Sequence, residues 1–587
     1  MFRMGGKYQH FVHGNGCGCS NPILQQVSRR LDRLSRRHFL TGVAAAVGAT
    51  MVADRSVAQS AKVLLTRARL FDGKADTLKS GVQVLVEGNR IAAVDMSNSA
   101  PPDGATVIDC GDRVLMPGLI DAHWHAIYAA VPLPVLLEGD LGIIFAASTA
   151  EAERTLLRGF TTVRDMGGPT FSFKRAIDTG IISGPRIFPA GAMITTTGGH
   201  GDLRLPTEIP RDGGKLSTSE LMGASAIVDD AGSLKLRVRE QLLQGASQIK
   251  IVAGGGVSSP RSPLDMSTFS EDEIRAAVDV ARDWNTYVTV HAYAPNTVQR
   301  SIRAGVSCVE HAHLMDEETA RMIAEKNVWL STQPFLTMDD AASQTGPGAE
   351  RIQQLFAGTP RIYEFIRKYG IKTAWGSDVL FSPELTPRQN FMLTHLSRWY
   401  SNAEVLRAAT SVNAELLALS NLRNPYPGKL GLIEHGAFAD LLVLNENPLD
   451  DIHVLEKPEE TLAIIMKDGQ IHKNTLKSYA RFVLGSGRSY AESWQCSPDP
   501  DRGMRADCNA PLWQRGLCAG RFRAVHHHAR LADPAGTFVD HAALCCIGDH
   551  FSSGRLSSAR FWMADRLDSR AGGTPDSDRR SAIPVAL

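Results

Sequence analysis

Between residues 61 and 118, apolar and polar side chains alternate in three short runs, "AKVLLTRARLFDG", "GVQVLVEGNRIAAVD" and "ATVIDCGDRVLMPG", separated by Gly and Asp turns. A period of two puts one set of side chains on a buried face and the other in water, which predicts a small antiparallel β layer. The same texture returns in "FADLLVLNENPLDDIHVL" and "TLAIIMKDGQIHKN" (438–455 and 461–474). The two ends of this region are therefore expected to build one composite β-sandwich, interrupted by everything between them.

The interrupting stretch has another rhythm. Short apolar runs at 119–125, 160–167, 185–191, 246–255, 286–293, 307–314, 328–334 and 372–378 read as strands. Amphipathic patterns such as 271–283 ("EDEIRAAVDVARD") and 315–325 read as helices between them. Eight strands with intervening helices predict an α/β protein built on a parallel (β/α)8 TIM barrel. These patterns place the barrel at 116–424, with the N-terminal share of the β-sandwich at 59–115 and its C-terminal share at 425–477.

The two ends of the chain differ from this core. "SRRHFLTGVAAAVGATMVADRSVAQSA" has a basic run ending in Arg36 and Arg37, then an apolar stretch too short to span a membrane. Small residues at Ser56 and Ala58 suit a signal peptidase, and Ser35-Arg36-Arg37 with Phe39-Leu40 resembles a twin-arginine export signal over 1–58. That route carries folded proteins, so the expected location is periplasmic or secreted, without a stable membrane anchor. From Tyr479 to Leu587 there are fourteen arginines and no lysine, and no sustained period appears. The segment 478–587 reads as a disordered extension or an out-of-frame translation, and no function is assigned to it.

Composition narrows the partners. Hydrophobic residues make up 43% and charged residues 21% of the 587, as in ordinary soluble domains. A net charge of +1 gives no basis for binding nucleic acid or an anionic membrane surface. The middle of the chain carries only Cys110 and Cys308, so it has no disulfide framework. The expected partner is a small-molecule substrate, and a homo-oligomer is compatible with the sequence.

In a (β/α)8 barrel, functional side chains stand at the C-terminal ends of strands. Metal-binding types do fall there: His123 and His125 on strand one, Lys250 on strand four, His291 on strand five, His311 on strand six and Asp378 on strand eight. Residues i and i+2 of a strand point to one side, so His123 and His125 can share an ion. Buried His and Asp are costly unless paired or metal-bound, and six such groups at one end are hard to obtain from core packing alone. Lys250 is a cation in its ordinary state and would be repelled by a divalent metal. Carboxylation by CO2 would convert it to an anionic carbamate with one oxygen for each of two metals. The competing account is a lysine neutralised by an adjacent Asp or Glu.

This ligand pattern resembles the amidohydrolase superfamily. The segments "PGLIDAHWH", "IKIVAGGGVSSP", "HAYAPNTVQRSIRAGVSCVEHAHLMD", "WGSDV" and "ADLLVLNENPLDDI" resemble its imidazolonepropionase-like branch, which includes prolyl dipeptidases and ochratoxin-cleaving amidohydrolases. The resemblance spans roughly residues 62–477. It implies two divalent metal ions, with His123, His125 and Asp378 on one, His291 and His311 on the other, and carboxylated Lys250 bridging them. Zinc suits this set, with manganese, cobalt and iron as other candidates. A hydroxide between metals roughly 3.5–4 Å apart would attack the amide. Asp378 would act as general base and then general acid. Tyr293, His200 and Arg261 are candidate contacts for a substrate carboxylate, by similarity for the first two. Imidazolonepropionase itself uses one metal and no bridging lysine, so Lys250 argues for hydrolysis of a dipeptide such as Xaa-Pro, an N-acyl amino acid or an ochratoxin-like amide. Two other readings are a lactone or phosphoester hydrolase with the same centre, and an exported non-catalytic binding protein.

Overall fold

The computed structural model describes residues 62–95, 100–210, 214–259, 262–340 and 347–476. The export signal read at 1–58, Arg261 and the Arg-rich tail at 478–587 lie outside them.

Both flanks of the core do join one sheet. Strands β1 (Lys62–Leu70), β2 (Lys79–Glu87), β3 (Arg90–Asp95), β4 (Ala105–Asp109) and β5 (Val114–Pro117) come from the N-terminal side. Strands β16 (Leu441–Leu444), β17 (Leu462–Lys467) and β18 (Gln470–Asn474) come from the C-terminal side. The order is β18-β17-β16-β5-β1-β2-β3, with β4 also paired to β1. The seam between the flanks is antiparallel, Val114 opposite Leu444 and Pro117 opposite Leu441. The expectation of an antiparallel layer is corrected around β1, because β4 and β5 both run parallel to it. Alternation fixes which side chains face the core and says nothing about strand direction. Direction is set here by the Cys110–Arg113 turn, where the Cys110 and Asp112 amides donate to the carbonyls of Thr66 and Arg67.

All eight strands expected in the centre are present, each shorter than its apolar run. They are β6 (Leu119–Trp124), β7 (Phe160–Asp165), β8 (Arg186–Pro189), β11 (Ile249–Val252), β12 (Val288–Ala292), β13 (Cys308–His311), β14 (Trp329–Thr332) and β15 (Thr373–Trp375). Two three-residue strands were not expected, β9 (Met193–Thr195) and β10 (Ser225–Ile227). The pairing is parallel throughout, in ladders β6-β7-β8 and β10-β9-β11-β12-β13-β14-β15.

The ladders are separate but tied at two places. The Ser247 amide donates to Pro189 O at 2.9 Å, between β8 and the approach to β11. At the other side the Asp378 amide donates to His123 O at 2.8 Å, and buried Asn413 donates to both Ile120 O (2.7 Å) and Trp375 O (2.8 Å). Two strand ends are thereby held against each other by one backbone hydrogen bond and the Asn413 side-chain amide rather than by a β ladder.

The helices follow from their sequences. Glu271–Asp283 starts on a capping box, with Ser270 Oγ accepting from the Glu273 amide and Glu273 reaching back to Ser270 N. It buries Ile274, Ala277, Val278 and Ala281 at helical spacing. Glu317–Glu325 is capped by Asp316, which accepts from the Thr319 amide at 2.8 Å. Among the described residues no helix is long and apolar enough to cross a membrane.

Candidate metal centre

Parallel register brings the chemistry-bearing positions to one end of the strands. Val252 lies opposite His291, and Ala292 opposite His311. His123, His125, Lys250, His291, His311 and Asp378 all line one pocket. His123 Nε2 is 3.2 Å and His125 Nε2 3.4 Å from Asp378 Oδ1. Those three residues form a cluster whose donor atoms lie within 4.8 Å of one another. Lys250 Nζ is 3.5 Å from His123 Nε2. His311 completes the group, its ring 4.9 Å from that of His123 and 4.4 Å from that of His291.

Each imidazole is anchored through one nitrogen. His123 Nδ1 is 2.8 Å from Glu310 Oε2, His125 Nδ1 is 3.2 Å from Gly167 O, and His291 Nε2 is 2.8 Å from Gly255 O. His311 Nδ1 is 2.8 Å from Gln333 Oε1, while its Nε2 is buried without a hydrogen-bond partner among the described residues. A buried imidazole nitrogen left bare is expensive unless something else ligates it. The pattern of one nitrogen tethered and the other left for a cation is what metal-binding histidines require. The donor set therefore fits divalent metal.

Burial pushes the Asp378 carboxyl up, but His123, His125 and His311 outweigh it and hold the group well below the usual carboxylate range. Burial lowers the Lys250 ammonium pKa, with Arg164 acting in the same direction against Glu310 and Asp378. No ordinary ion pair claims Lys250: its one close polar contact among the described residues is His123. A lysine whose charge is disfavoured is closer to the neutral amine that CO2 capture needs. Two of the site residues, His311 (φ 75) and Asp378 (φ 54), sit in the left-handed region that side chains other than glycine avoid. Such conformations cost about 1–3 kcal/mol each and persist where surrounding structure enforces them.

Beneath the imidazoles lies a charged layer that strand periodicity alone does not reveal. Glu310 is fully buried and accepts from Arg164 Nη2 at 2.6 Å and from Thr289. Arg164, equally buried, also donates to Ala122 O (2.6 Å) and Tyr287 OH (3.0 Å). Asp121 accepts from the His123 amide (2.9 Å), Ser377 Oγ (2.6 Å) and Gln389 Nε2 (2.9 Å), which fixes strand one to the loop carrying Asp378. A signal was present in the sequence: Arg164 in "TTVRD" and Glu310 in "CVEHA" are charges inside apolar strands.

The other candidates divide. Tyr293 is buried, stacks on His311 at 4.9 Å and lines the pocket. His200 lines it too, its ring 4.6 Å from His291 and its Nδ1 2.8 Å from Ser259 Oγ. Burial above all, then the charge of Lys250, brings the His200 pKa down to about 4. Gly256 explains part of the "AGGG" run: a Cβ there would lie 2.4 Å from the His200 ring. The substitution Gly256→Ala should displace His200 and raise KM about tenfold with a smaller change in kcat, as steady-state kinetics would read.

Comparison with known proteins gives consistent relatives. The amidohydrolase family model matches residues 114–473. Ochratoxinase of Aspergillus niger is 29% identical over 383 residues, 61% of this chain and 76% of its own length. A prolidase solved with N-methylphosphonate-L-proline is 33% identical, with 70% of this chain and 100% of that one covered and a TM-score of 0.64. A Xaa-Pro dipeptidase with methionine bound in its active site is 28% identical, covering 70% of this chain and 100% of that one, with a TM-score of 0.59.

Proposed function

The chain belongs to the amidohydrolase family and is a hydrolase acting on C–N bonds, and from that premise we propose that it cleaves amides of small carboxylate-bearing substrates at a binuclear metal centre. Dipeptides such as Xaa-Pro, N-acyl amino acids and ochratoxin-like amides form the substrate range. The supporting observation is a set of tethered imidazoles facing one pocket with Asp378, among them a His311 Nε2 that has no hydrogen-bond partner among the described residues. His123, His125 and Asp378 would hold one ion, His291 and His311 the other, and Lys250, as its carbamate, would lie between. The metals, zinc for preference, supply Lewis-acid activation of water and of the scissile carbonyl when bound.

The rest of the chemistry is assigned to the chain. Asp378, ionised at neutral pH, accepts a proton at a carboxylate oxygen and delivers it to the departing amine nitrogen. Tyr293 and His200 orient the substrate carboxylate by hydrogen bonding, away from the acyl half. We read the two parallel ladders as arcs of one (β/α)8 barrel over 116–424, joined where Ser247 meets Pro189 and Asp378 meets His123. The flanks 59–115 and 425–477 would form the β-sandwich. Twin-arginine export to the periplasm or medium belongs to the same proposal, and cell fractionation tests it.

A hydrolysis screen over dipeptides, N-acyl amino acids, lactones and phosphoesters, run beside elemental analysis, decides the function. Amide turnover with about two metals per chain is expected. Ester-only turnover, or a protein that retains no stoichiometric metal after supplementation, would displace the proposal. The variant Tyr293→Phe should raise KM for carboxylate substrates by about tenfold or more, since a hydrogen bond to a charged group contributes about 1.5–3 kcal/mol. Methyl esters of the same substrates should be affected far less.

A further inference from the structure

Apart from the six residues at the centre, the pocket wall is apolar along most of its length. Val257, Ile352 and Leu355 pack with Tyr293, and Met193, Val252, Leu380, Phe381 and Leu385 line the same pocket. One further carboxylate reaches the lining, that of Asp340. Its side chain is fully buried and its oxygens are already engaged. Oδ2 accepts from the Leu336 and Thr337 amides, both at 3.0 Å, with His395 Nδ1 at 3.6 Å, and Oδ1 faces Arg388 Nη2 at 3.4 Å.

Three backbone acceptors of the nearby glycine loop are engaged as well. Gly255 O faces His291 Nε2, while Gly256 O and Ser259 O accept from Arg351 Nη1. Among the described residues, no unengaged anion waits for a substrate cation outside the metal centre. A dipeptide brings such a cation, its α-ammonium, on the carbon next to the acyl carbonyl. Moving that charge from water into an apolar wall without a partner is costly, whereas an uncharged acyl chain gains from the same burial.

We infer that the site selects amides whose acyl group is uncharged and apolar, that is, N-acyl amino acids in preference to dipeptides with a free amine. This selectivity rests on the amide-hydrolase reading above and narrows it.

A matched pair isolates the charge: 3-phenylpropanoyl-L-phenylalanine and L-phenylalanyl-L-phenylalanine differ only in the α-amino group. With metal-loaded protein at pH 7, kcat/KM for release of phenylalanine should favour the desamino compound by about tenfold or more. Its dissociation constant, from calorimetry on the same preparation, should be lower by a similar factor. The ratio should shrink at pH 9, because an α-amino group with pKa near about 8 is then largely neutral. Placing an anion in the wall with Leu385→Asp should shift preference toward the dipeptide, while Leu385→Asn should not. If neither compound is cleaved, phenylalanine amides lie outside the substrate range, the broader screen above still decides the amide-hydrolase reading, and the two dissociation constants decide selectivity. Equal or tighter binding of the dipeptide, or no binding of the desamino compound, would overturn the inference.

Discussion

Replacing Lys250 by alanine is expected to lower kcat/KM by about a thousandfold or more, the scale on which loss of a preorganised electrostatic group is felt. Lys250 is buried on β11, its Nζ lies 3.5 Å from His123 Nε2, and it lacks an ion-pair partner among the described residues. As an ammonium it would oppose any cation held by His123, His125 and Asp378. As a carbamate it would bring a second anion to a site that otherwise has only Asp378. Short carboxylic acids, small enough to enter the space vacated by the side chain, should restore some of the activity and of the metal content. The assay is kinetics with and without added acetate or propionate, alongside elemental analysis. A fully active Lys250→Ala protein would refute the bridging role and with it the binuclear mechanism.

The second large effect concerns folding. In Glu310→Leu the guanidinium of Arg164 would remain buried with no counter-charge, its side chain having no exposure to water. Removing one partner of a buried pair destabilises by about 3–5 kcal/mol, because the penalty is the stranded charge rather than the lost attraction. A thermal or denaturant melt should show it, and Arg164→Met added to Glu310→Leu should recover some of the loss. The gentler Glu310→Gln keeps a polar partner for Arg164 but weakens the hold on His123 Nδ1. Loss of such a support is expected to reduce metal affinity about 10–100-fold, with a smaller fall in melting temperature than Glu310→Leu because the amide oxygen still accepts from Arg164. Equal melting temperatures for Glu310→Leu and the parent would show that the pair carries no structural weight.

Much of the centre was legible in the chain because its geometry is local. A strand alternates faces, so "HWH" places His123 and His125 together, and parallel pairing carries that alignment from one strand end to the next. Strand positions were readable for the same reason, since eight apolar runs separated by helical patterns leave few topologies. The loop residues were harder. His200 and Tyr293 are far apart in the chain, and their meeting beside His291 depends on how Gly256 lets the His200 ring close in.

By itself, the sequence determined the element types, the four imidazoles, the lysine and Asp378, because periodicity and residue chemistry are encoded within a few positions. Tertiary structure alone decided that β4 and β5 run parallel to β1 and that two extra short strands enter the larger parallel ladder. It also decided that Glu310 and Arg164 support His123 and that Asp340 is engaged by its own neighbours. Those outcomes depend on which segments meet across long stretches of chain, and on burial, which turns an ordinary charge into one that must find a partner.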